Sequence, residues 1–186
     1  MGASVLGGFV LAFIGCGFAA AHCTDVRPHL YTCKMREVRR SALVSYSPAQ
    51  MFALVDDIER YAEFLPWVKG VQVIERTDRE RLGRIQVARS GFEEQFTTRN
   101  TVDPPQRLEM RLVDGPFNVL QGVWTFDPLG EASAPRGTKV GLELQFELKN
   151  KLFDLVLAKK IESSCDQVVD AFVKRARAVY GEAGSG

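Results

Sequence analysis

An alternating strand followed almost at once by one long helix is the pattern that most restricts the fold. Over residues 138–149, apolar side chains at every second position predict a strand with one buried and one exposed face. Over residues 152–180, apolar positions recur at steps of three and four, which predicts one continuous helix about 44 Å long. We therefore expect the helix to lie across the buried face of an antiparallel sheet.

Further strands and one short helix are predicted ahead of this pair. The predicted strands cover residues 37–45, 71–76, 84–90, 92–102, 107–113 and 120–127. After the first strand, Ser47 is a good N-cap and Pro48 suits the first position of a helix. The sequence after Met35 shows no internal repeat.

The turn Asp114-Gly115-Pro116 joins two apolar arms. Its glycine tolerates a positive φ and its proline fixes its own φ, so the chain can reverse here. If the second arm is a strand, then Leu120, Gly122, Trp124 and Phe126 share one face. Gly122 would then leave a dent beside Trp124, which a helix or a ligand could approach. Ordinary core packing explains the same residues.

A second aromatic block, Tyr61-Ala62-Glu63-Phe64-Leu65-Pro66-Trp67, marks the end of a helix. Pro66 disfavours helical geometry at Leu65, so Phe64, Leu65 and Trp67 should lie in a loop. Apolar side chains are costly to expose, and these three are expected to tuck under another element or to contact a partner.

In residues 61–67, 91–100 and 114–124 the chain resembles the coenzyme Q-binding / RatA family of the START-like (polyketide cyclase/dehydrase-like, SRPBCC) superfamily. The resemblance runs in order over residues 35–181. It departs from the family at Ala62, where Pro is usual, and at Val68, where Cys is common. The fold class that it implies is α+β helix-grip: a curved antiparallel sheet wrapped around a long C-terminal helix, with a hydrophobic cavity between them.

The resemblance also implies a function. It predicts non-enzymatic binding of an isoprenoid quinone, ubiquinone in particular, which would be delivered for respiration or biosynthesis. The quinone would be a bound ligand, and no cofactor is expected. Two alternatives remain: a RatA-type toxin that binds the large ribosomal subunit and blocks subunit association, and a polyketide cyclase-like enzyme. The expected partners are an isoprenoid quinone or similar lipid, the large ribosomal subunit as an alternative, and a membrane surface in transient contact.

The predicted ligand-binding residues are large apolar groups in the two blocks, the last strand and the first turns of the long helix. They are Phe64, Leu65, Pro66, Trp67, Phe117, Leu120, Trp124, Phe146, Phe153, Val156 and Leu157. A well-filled core without a cavity would use the same residues.

Three residues are predicted as polar anchors for a ligand head group: Glu94, Arg99 and Asn118. Glu94 would face inward if Phe92 and Phe96 do, and Arg99 could then be its partner. A structural salt bridge, or a strand register that leaves Glu94 outside, is the alternative.

The distribution of histidine and cysteine excludes several kinds of chemistry. Both histidines and three of the four cysteines precede Met35, so only Cys165 remains in the region of the family resemblance. A Ser-His-Asp or Cys-His arrangement, a zinc site of the usual N/S type and an internal disulfide cannot be built there. We therefore predict no catalytic residue and no metal.

Charge gives little support to a large nucleic-acid footprint. The net charge is +1, and basic and acidic residues are equal in number after residue 34. Two short basic clusters, around Arg39 and around Arg175, keep contact with ribosomal RNA or an anionic membrane open.

Residues 1–34 differ from the rest, because residues 2–21 carry no charge. Three domain assignments follow: an apolar extension at 1–34 outside the fold, a START-like coenzyme Q-binding domain at 35–181 and a flexible tail at 182–186. The extension is interpreted as an upstream addition before a true start at Met35, or as a signal or anchor. The expected location is cytoplasmic, with a peripheral position at the inner face of the membrane as the alternative.

Overall fold

Seven strands form one antiparallel sheet in the described part of this computed structural model, which covers residues 35–89, 92–131, 134–149 and 154–181. The strands are β1 (Arg36–Val44), β2 (Val68–Arg76), β3 (Glu80–Arg89), β4 (Phe92–Asp103), β5 (Arg107–Asp114), β6 (Phe117–Glu131) and β7 (Ala134–Leu148). The predicted extension at 1–34 and tail at 182–186 lie outside the described residues.

The helices are α1 (Pro48–Asp56), α2 (Tyr61–Phe64) and α3 (Asp154–Tyr180), with a 3-10 turn at Ile58–Arg60 between the first two. The strand order is β1-β7-β6-β5-β4-β3-β2. Strands that are consecutive from β2 to β7 therefore pair as hairpins, and β1 returns to pair with β7. This arrangement confirms the predicted α+β helix-grip fold: a curved antiparallel sheet with a long C-terminal helix.

Strand β7 shows why the sheet has one buried face. Val140, Leu142, Leu144, Phe146 and Leu148 are all buried, and the residues between them are exposed or half-buried. Alternation of side chains across the strand places the five on one surface. The two-residue period in the sequence therefore predicted this strand and its buried face correctly.

Helix α1 begins where the sequence places it. The Ser47 side chain accepts a hydrogen bond from the backbone N–H of Gln50, and the Gln50 side chain accepts one from the backbone N–H of Ser47. This reciprocal pair satisfies two N–H groups that a helix start would otherwise leave open. Met51, Phe52 and Val55 are buried against the sheet and α3.

Helix α3 packs its later turns into the same core. Val169, Phe172 and Ala176 are buried beside Trp124 and Phe126 of β6. Their spacing of three and four residues keeps them on one side of the helix. Of the stripe predicted from the sequence, Phe172 and Ala176 are buried and Val168 is half-buried, whereas Val179 is exposed and the buried Val169 was not predicted.

The turn between β5 and β6 needs glycine. Gly115 has a φ of 145°, and a Cβ atom added there would lie 2.6 Å from Cβ of Phe96. The prediction of a dent at Gly122 is wrong, because neighbouring side chains fill that space. A Cβ atom at Gly122 would lie 3.0 Å from Leu144 Cδ1 and from Met110 Cε.

Candidate functional site

An apolar cavity of about 170 Å³ lies between the sheet and α3. Its walls come from β2 to β7, from α2 with the residues that flank it, and from α3. The lining residues are Ile58, Tyr61, Leu65, Trp67, Val68, Ile85, Val87, Phe96, Asn100, Leu108, Met110, Phe117, Leu120, Trp124, Leu142, Leu144, Val168 and Phe172. Within this set no side chain carries a charge.

One end of the cavity is covered by the segment 64–67, which we call the mouth loop. Leu65 has extended backbone angles (φ −101°, ψ 102°), as Pro66 requires, and its side chain is buried. The carbonyl of Trp67 accepts a hydrogen bond of 2.8 Å from the N–H of Ala88. The loop is thereby fixed to β3, and Leu65 and Trp67 are turned into the cavity wall.

A surface groove of about 510 Å³ runs between the mouth loop and α3. Phe64, Pro66 and Trp67 form one side, and α3 forms the other. The α3 residues that line it are Gln167, Asp170, Ala171, Lys174, Arg175 and Ala178. Trp67 lines both the groove and the cavity, so it lies between the two spaces.

Arg175 joins α3 to the mouth loop. Its Nη2 lies 2.5 Å from Oε2 of Glu63, and its guanidinium carbon lies 5.4 Å from the centroid of the Phe64 ring. A cation over an aromatic face and an ion pair both hold the loop against α3. We call these contacts the Arg175 clasp.

The structure brings most of the predicted apolar residues to this site. Leu65, Trp67, Phe117, Leu120 and Trp124 line the cavity, and two further members of the set, at positions 64 and 66, line the groove. The size and hydrophobicity of side chains in the two aromatic blocks therefore helped to identify residues that line the cavity and the groove.

The remaining apolar predictions do not reach the cavity wall or cannot be placed. Phe146 is fully buried behind the wall, with its ring centroid 6.4 Å from that of Phe117. Phe153 and the side chains of Val156 and Leu157 lie outside the described residues.

Two of the predicted polar anchors face away from the cavity, which corrects their assignment. Arg99 Nη1 lies 2.9 Å from Oε2 of Glu80, on the face of β4 opposite to Phe96. Asn118 donates a hydrogen bond of 2.7 Å to Glu147 at the surface. Strand alternation places Arg99 outside. Asn118 has the phase of the buried Leu120, and the irregular pairing between Phe117 and Val119 turns it outward instead.

Glu94 is half-buried on β4, opposite Val87 of β3, and does not line the cavity. Its proposed partner Arg99 binds Glu80 instead, and Arg111 lies 3.9 Å from Glu109. The placement thus supports neither the inward salt bridge nor an anchor role for Glu94.

The sequence reasoning missed Asn100. Its side chain lines the cavity and is only 5% exposed, and Oδ1 has no hydrogen-bond partner among the described residues. An amide at the inward phase of β4, in step with Phe96 and Val102, was the signal that could have identified it.

Tyr61 also brings a polar group, its hydroxyl, to the wall. Its hydroxyl donates a hydrogen bond of 2.6 Å to the carbonyl of Val55. Burial raises the pKa of Tyr61 above its ordinary value, and the carboxylates of Asp56 and Asp57 add to the rise. The hydroxyl therefore stays protonated and engaged at neutral pH.

Metal and membrane signals are absent from the described ranges. No group of three or more His, Cys, Asp or Glu side chains there is arranged to hold a metal ion. None of the helices within them has the length and apolar character that crossing a bilayer requires.

Residues 44–173 match a protein family described as polyketide cyclase / dehydrase and lipid transport. The Ribosome association toxin RatA of Vibrio cholerae is 43% identical over 148 residues, which cover 80% of this chain and 100% of that protein. The mitochondrial Coenzyme Q-binding protein COQ10 of Drosophila melanogaster is 30% identical over 145 residues, 77% of this chain and 60% of that protein.

The fold is also found in a solved enzyme structure. The Zhui aromatase/cyclase of Streptomyces sp. R1128 aligns with 82% of this chain and 100% of its own, with a TM-score of 0.70 and 19% identity. At this identity the likeness concerns the fold alone.

Proposed function

This chain belongs to the polyketide cyclase/dehydrase and lipid transport family, and from that premise we propose that it binds an isoprenoid quinone, such as ubiquinone, between its sheet and its long helix. The observation that carries the proposal is the uncharged, aromatic-rich cavity behind the mouth loop. Ligand sites of this kind are mostly apolar, with a few polar groups that fix orientation. The name of the Drosophila relative, a coenzyme Q-binding protein, adds support for coenzyme Q as the ligand.

Binding without chemistry fits the residues of the wall. The hydroxyl of Tyr61 is engaged by Val55, and no carboxylate, amine or imidazole is among the described residues that line the cavity. General acid-base catalysis requires such a group within hydrogen-bond reach of the substrate. We therefore propose a carrier that delivers its quinone to respiration or biosynthesis.

The cavity volume limits how much of the ligand it holds. Sites for whole drug-sized ligands measure about 300–1,000 Å³, so a cavity of about 170 Å³ takes only part of a quinone. Each buried CH₂-sized group contributes about 0.8 kcal/mol, so even one isoprenoid unit in contact with the wall adds several kcal/mol. The rest of the tail would lie in the groove beside Trp67.

Mass spectrometry of the bound ligand tests the proposal. The full chain is purified from cells that make ubiquinone and is extracted with organic solvent. We expect a near-stoichiometric quinone, and a smaller amount from Trp124→Ala and Phe117→Ala variants that still fold. Gln121→Leu, on the exposed face of β6, serves as the control. An empty unmodified protein, or variants that retain the full amount, would contradict the proposal.

A second candidate function is association with the large ribosomal subunit. It is favoured by the name of the Vibrio cholerae relative, a ribosome association toxin, whose whole length this chain matches. Lys174 and Arg177 are exposed on α3 and could contact phosphates. The test is sedimentation with separated ribosomal subunits at rising salt. Ribosome association is supported if the chain binds the large subunit, if binding weakens steeply as salt rises, and if Lys174→Glu plus Arg177→Glu weakens it too. The absence of co-sedimentation at low salt would reject it.

A further inference from the structure

We propose that Asn100 is the polar anchor of the cavity and that it holds the oxygen-bearing ring of the ligand. The inference rests on the proposed function, and it adds the orientation of the ligand and the residue that sets its specificity. In the assigned pose, the ring of the ligand lies inside the cavity and its tail extends outward.

The first support is the unpartnered amide. Asn100 is more than nine-tenths buried, it lines the cavity, and its Oδ1 has no hydrogen-bond partner in the described residues. A buried polar atom without a partner costs free energy, so such a group calls for an explanation. A ligand oxygen in the cavity would supply the missing partner.

The second support is the contrast with the rest of the wall. The other lining residues are aliphatic or aromatic, and the Tyr61 hydroxyl already donates to Val55. An amide in such surroundings is worth more as a recognition group than at the surface, because water does not compete for it. Ligands without a matching oxygen would leave it unpaired, which is the basis of discrimination in buried sites.

The third support is position. Trp67 is tied to Ala88 of β3, which lies opposite Glu93 of β4. Asn100 follows seven residues later, which corresponds to about 23 Å of strand. Asn100 is thus separated along β4 from the point where the loop is fixed to β3, so a ring bound at Asn100 leaves its tail to run toward Trp67 and the groove.

The chemistry of an amide suits both redox forms of a quinone. The NH₂ group can donate to a ring carbonyl, and the oxygen can accept from a ring hydroxyl. A half-turn of the amide about its last torsion exchanges the two. The ligand class is therefore an apolar molecule with a carbonyl or hydroxyl oxygen on its ring.

Equilibrium dialysis with two probes tests the anchor. The probes are a short-tailed ubiquinone and an isoprenoid hydrocarbon of similar size without ring oxygens. The full chain is compared with Asn100→Leu, which keeps the volume and removes the amide. Gln121→Leu also replaces an amide side chain by leucine, but on the exposed face of β6, and it is the matched control. Thermal unfolding is measured on each protein.

We expect Asn100→Leu to bind the ubiquinone about tenfold more weakly than the unmodified chain, which corresponds to one lost hydrogen bond. Binding of the hydrocarbon should be unchanged in both variants, and Gln121→Leu should bind both probes normally. The unfolding temperature of Asn100→Leu should not fall, because its Oδ1 loses no protein partner. A purely structural role would instead lower the unfolding temperature and affect both probes equally.

A second pair of variants covers a failure of Asn100→Leu to fold. Asn100→Thr and Asn100→Val have nearly the same shape and differ in one hydroxyl group. Thr should bind ubiquinone more tightly than Val, with equal hydrocarbon binding. If the unmodified chain binds ubiquinone and the apolar variants bind it equally well, the anchor is overturned and the quinone function stands. If the unmodified chain binds no ubiquinone, both are overturned.

Discussion

Phe172 of α3 packs edge-on against Trp124 of β6, with ring centroids 5.2 Å apart and ring planes at 70°. The same phenylalanine ring lies 5.4 Å from the ring of Tyr61 and 5.0 Å from that of Phe64. One buried side chain therefore connects the long helix with the sheet, with α2 and with the mouth loop. Edge-to-face contacts of this kind add to the free energy gained from burial.

Phe172→Ala should lower the free energy of unfolding by about 3–5 kcal/mol, because it removes a fully buried ring and leaves a larger cavity. Urea denaturation followed by fluorescence measures the change. Val179→Ala, at an exposed position of the same helix, is the control and should change it by less than about 0.5 kcal/mol. A loss below about 1 kcal/mol at Phe172 would show that α3 is not held by this cluster.

Gly115→Ala should destabilise the protein more than Gly181→Ala does. Both glycines have positive φ, at 145° and 81°. A Cβ atom would meet Phe96 at 2.6 Å in the first case and nothing within 4 Å in the second. We expect about 2–4 kcal/mol for Gly115→Ala, from strain plus overpacking, and about 1 kcal/mol for Gly181→Ala. Chemical denaturation of the two variants checks the order, and equal losses would mean that the turn relaxes away from Phe96.

The Arg175 clasp should control ligand exchange more than stability. Glu63→Gln removes an ion pair whose carboxylate is half exposed, so the free energy of unfolding should fall by no more than about 1 kcal/mol. If the clasp holds the mouth loop closed, release of a short-tailed ubiquinone should become up to about fivefold faster. Stopped-flow fluorescence can follow release through Trp67 and Trp124.

A matched control for the clasp is Arg39→Met, which removes an exposed pair with Glu37 far along the chain on β1. It should leave the release rate unchanged. High salt should reproduce part of the Glu63→Gln effect on the unmodified chain, because salt screens exposed ion pairs. A release rate that Glu63→Gln does not alter would remove the clasp from the exchange step.

The free energy of unfolding should fall in strong alkali because of the buried hydroxyl of Tyr61. Burial raises its pKa in the folded state, whereas in the unfolded chain the pKa is about 10. Below pH 10 both states keep the proton, so the contribution of Tyr61 to stability is fully present. Above pH 10 the unfolded state releases the proton and the folded state retains it. The free energy of unfolding then falls by about 1.4 kcal/mol per pH unit.

The measurement is urea denaturation at several pH values between 8 and about 11.5. Tyr61→Phe should show a shallower decline above pH 10, although it starts about 1 kcal/mol lower because the bond to Val55 is lost. Tyr180→Phe, at a more exposed position, should change the slope less. Equal slopes for Tyr61→Phe and the unmodified chain would show that the Tyr61 hydroxyl ionises as readily in the folded protein as in the unfolded chain.

Local sequence patterns predicted the elements well because each pattern has a local physical cause. The cap at Ser47 depends on groups within three residues, and the turn at Gly115 depends on one φ angle. The buried face of β7 follows from side-chain alternation alone. Size and hydrophobicity were likewise enough to single out Leu65 and Trp124, which line the cavity.

The polar part of the site could not be predicted in the same way. Arg99 was chosen for its charge and Asn118 for its amide, but both lie outside. The phase of β4 turns Arg99 outward, and an irregularity in the pairing of β6 between Phe117 and Val119 does the same for Asn118. Asn100, which the sequence reasoning passed over, lies between Arg81 of β3 and Met110 of β5 in the sheet and faces the cavity. The phase depends on which strands pair and in which register, and a slip of one residue would reverse every assignment.

The sequence by itself determined the order of the strands and helices, the buried face of the last strand, part of the stripe of α3 and, for the residues after Met35, the exclusion of histidine and zinc chemistry. These depend on neighbours in the chain and on composition. The tertiary structure decided that Phe172 meets Trp124, that Leu144 and Met110 fill the space at Gly122, and that a cavity with a single amide remains. A cavity is the volume left over when side chains from many elements pack together, so no single segment of the sequence specifies it.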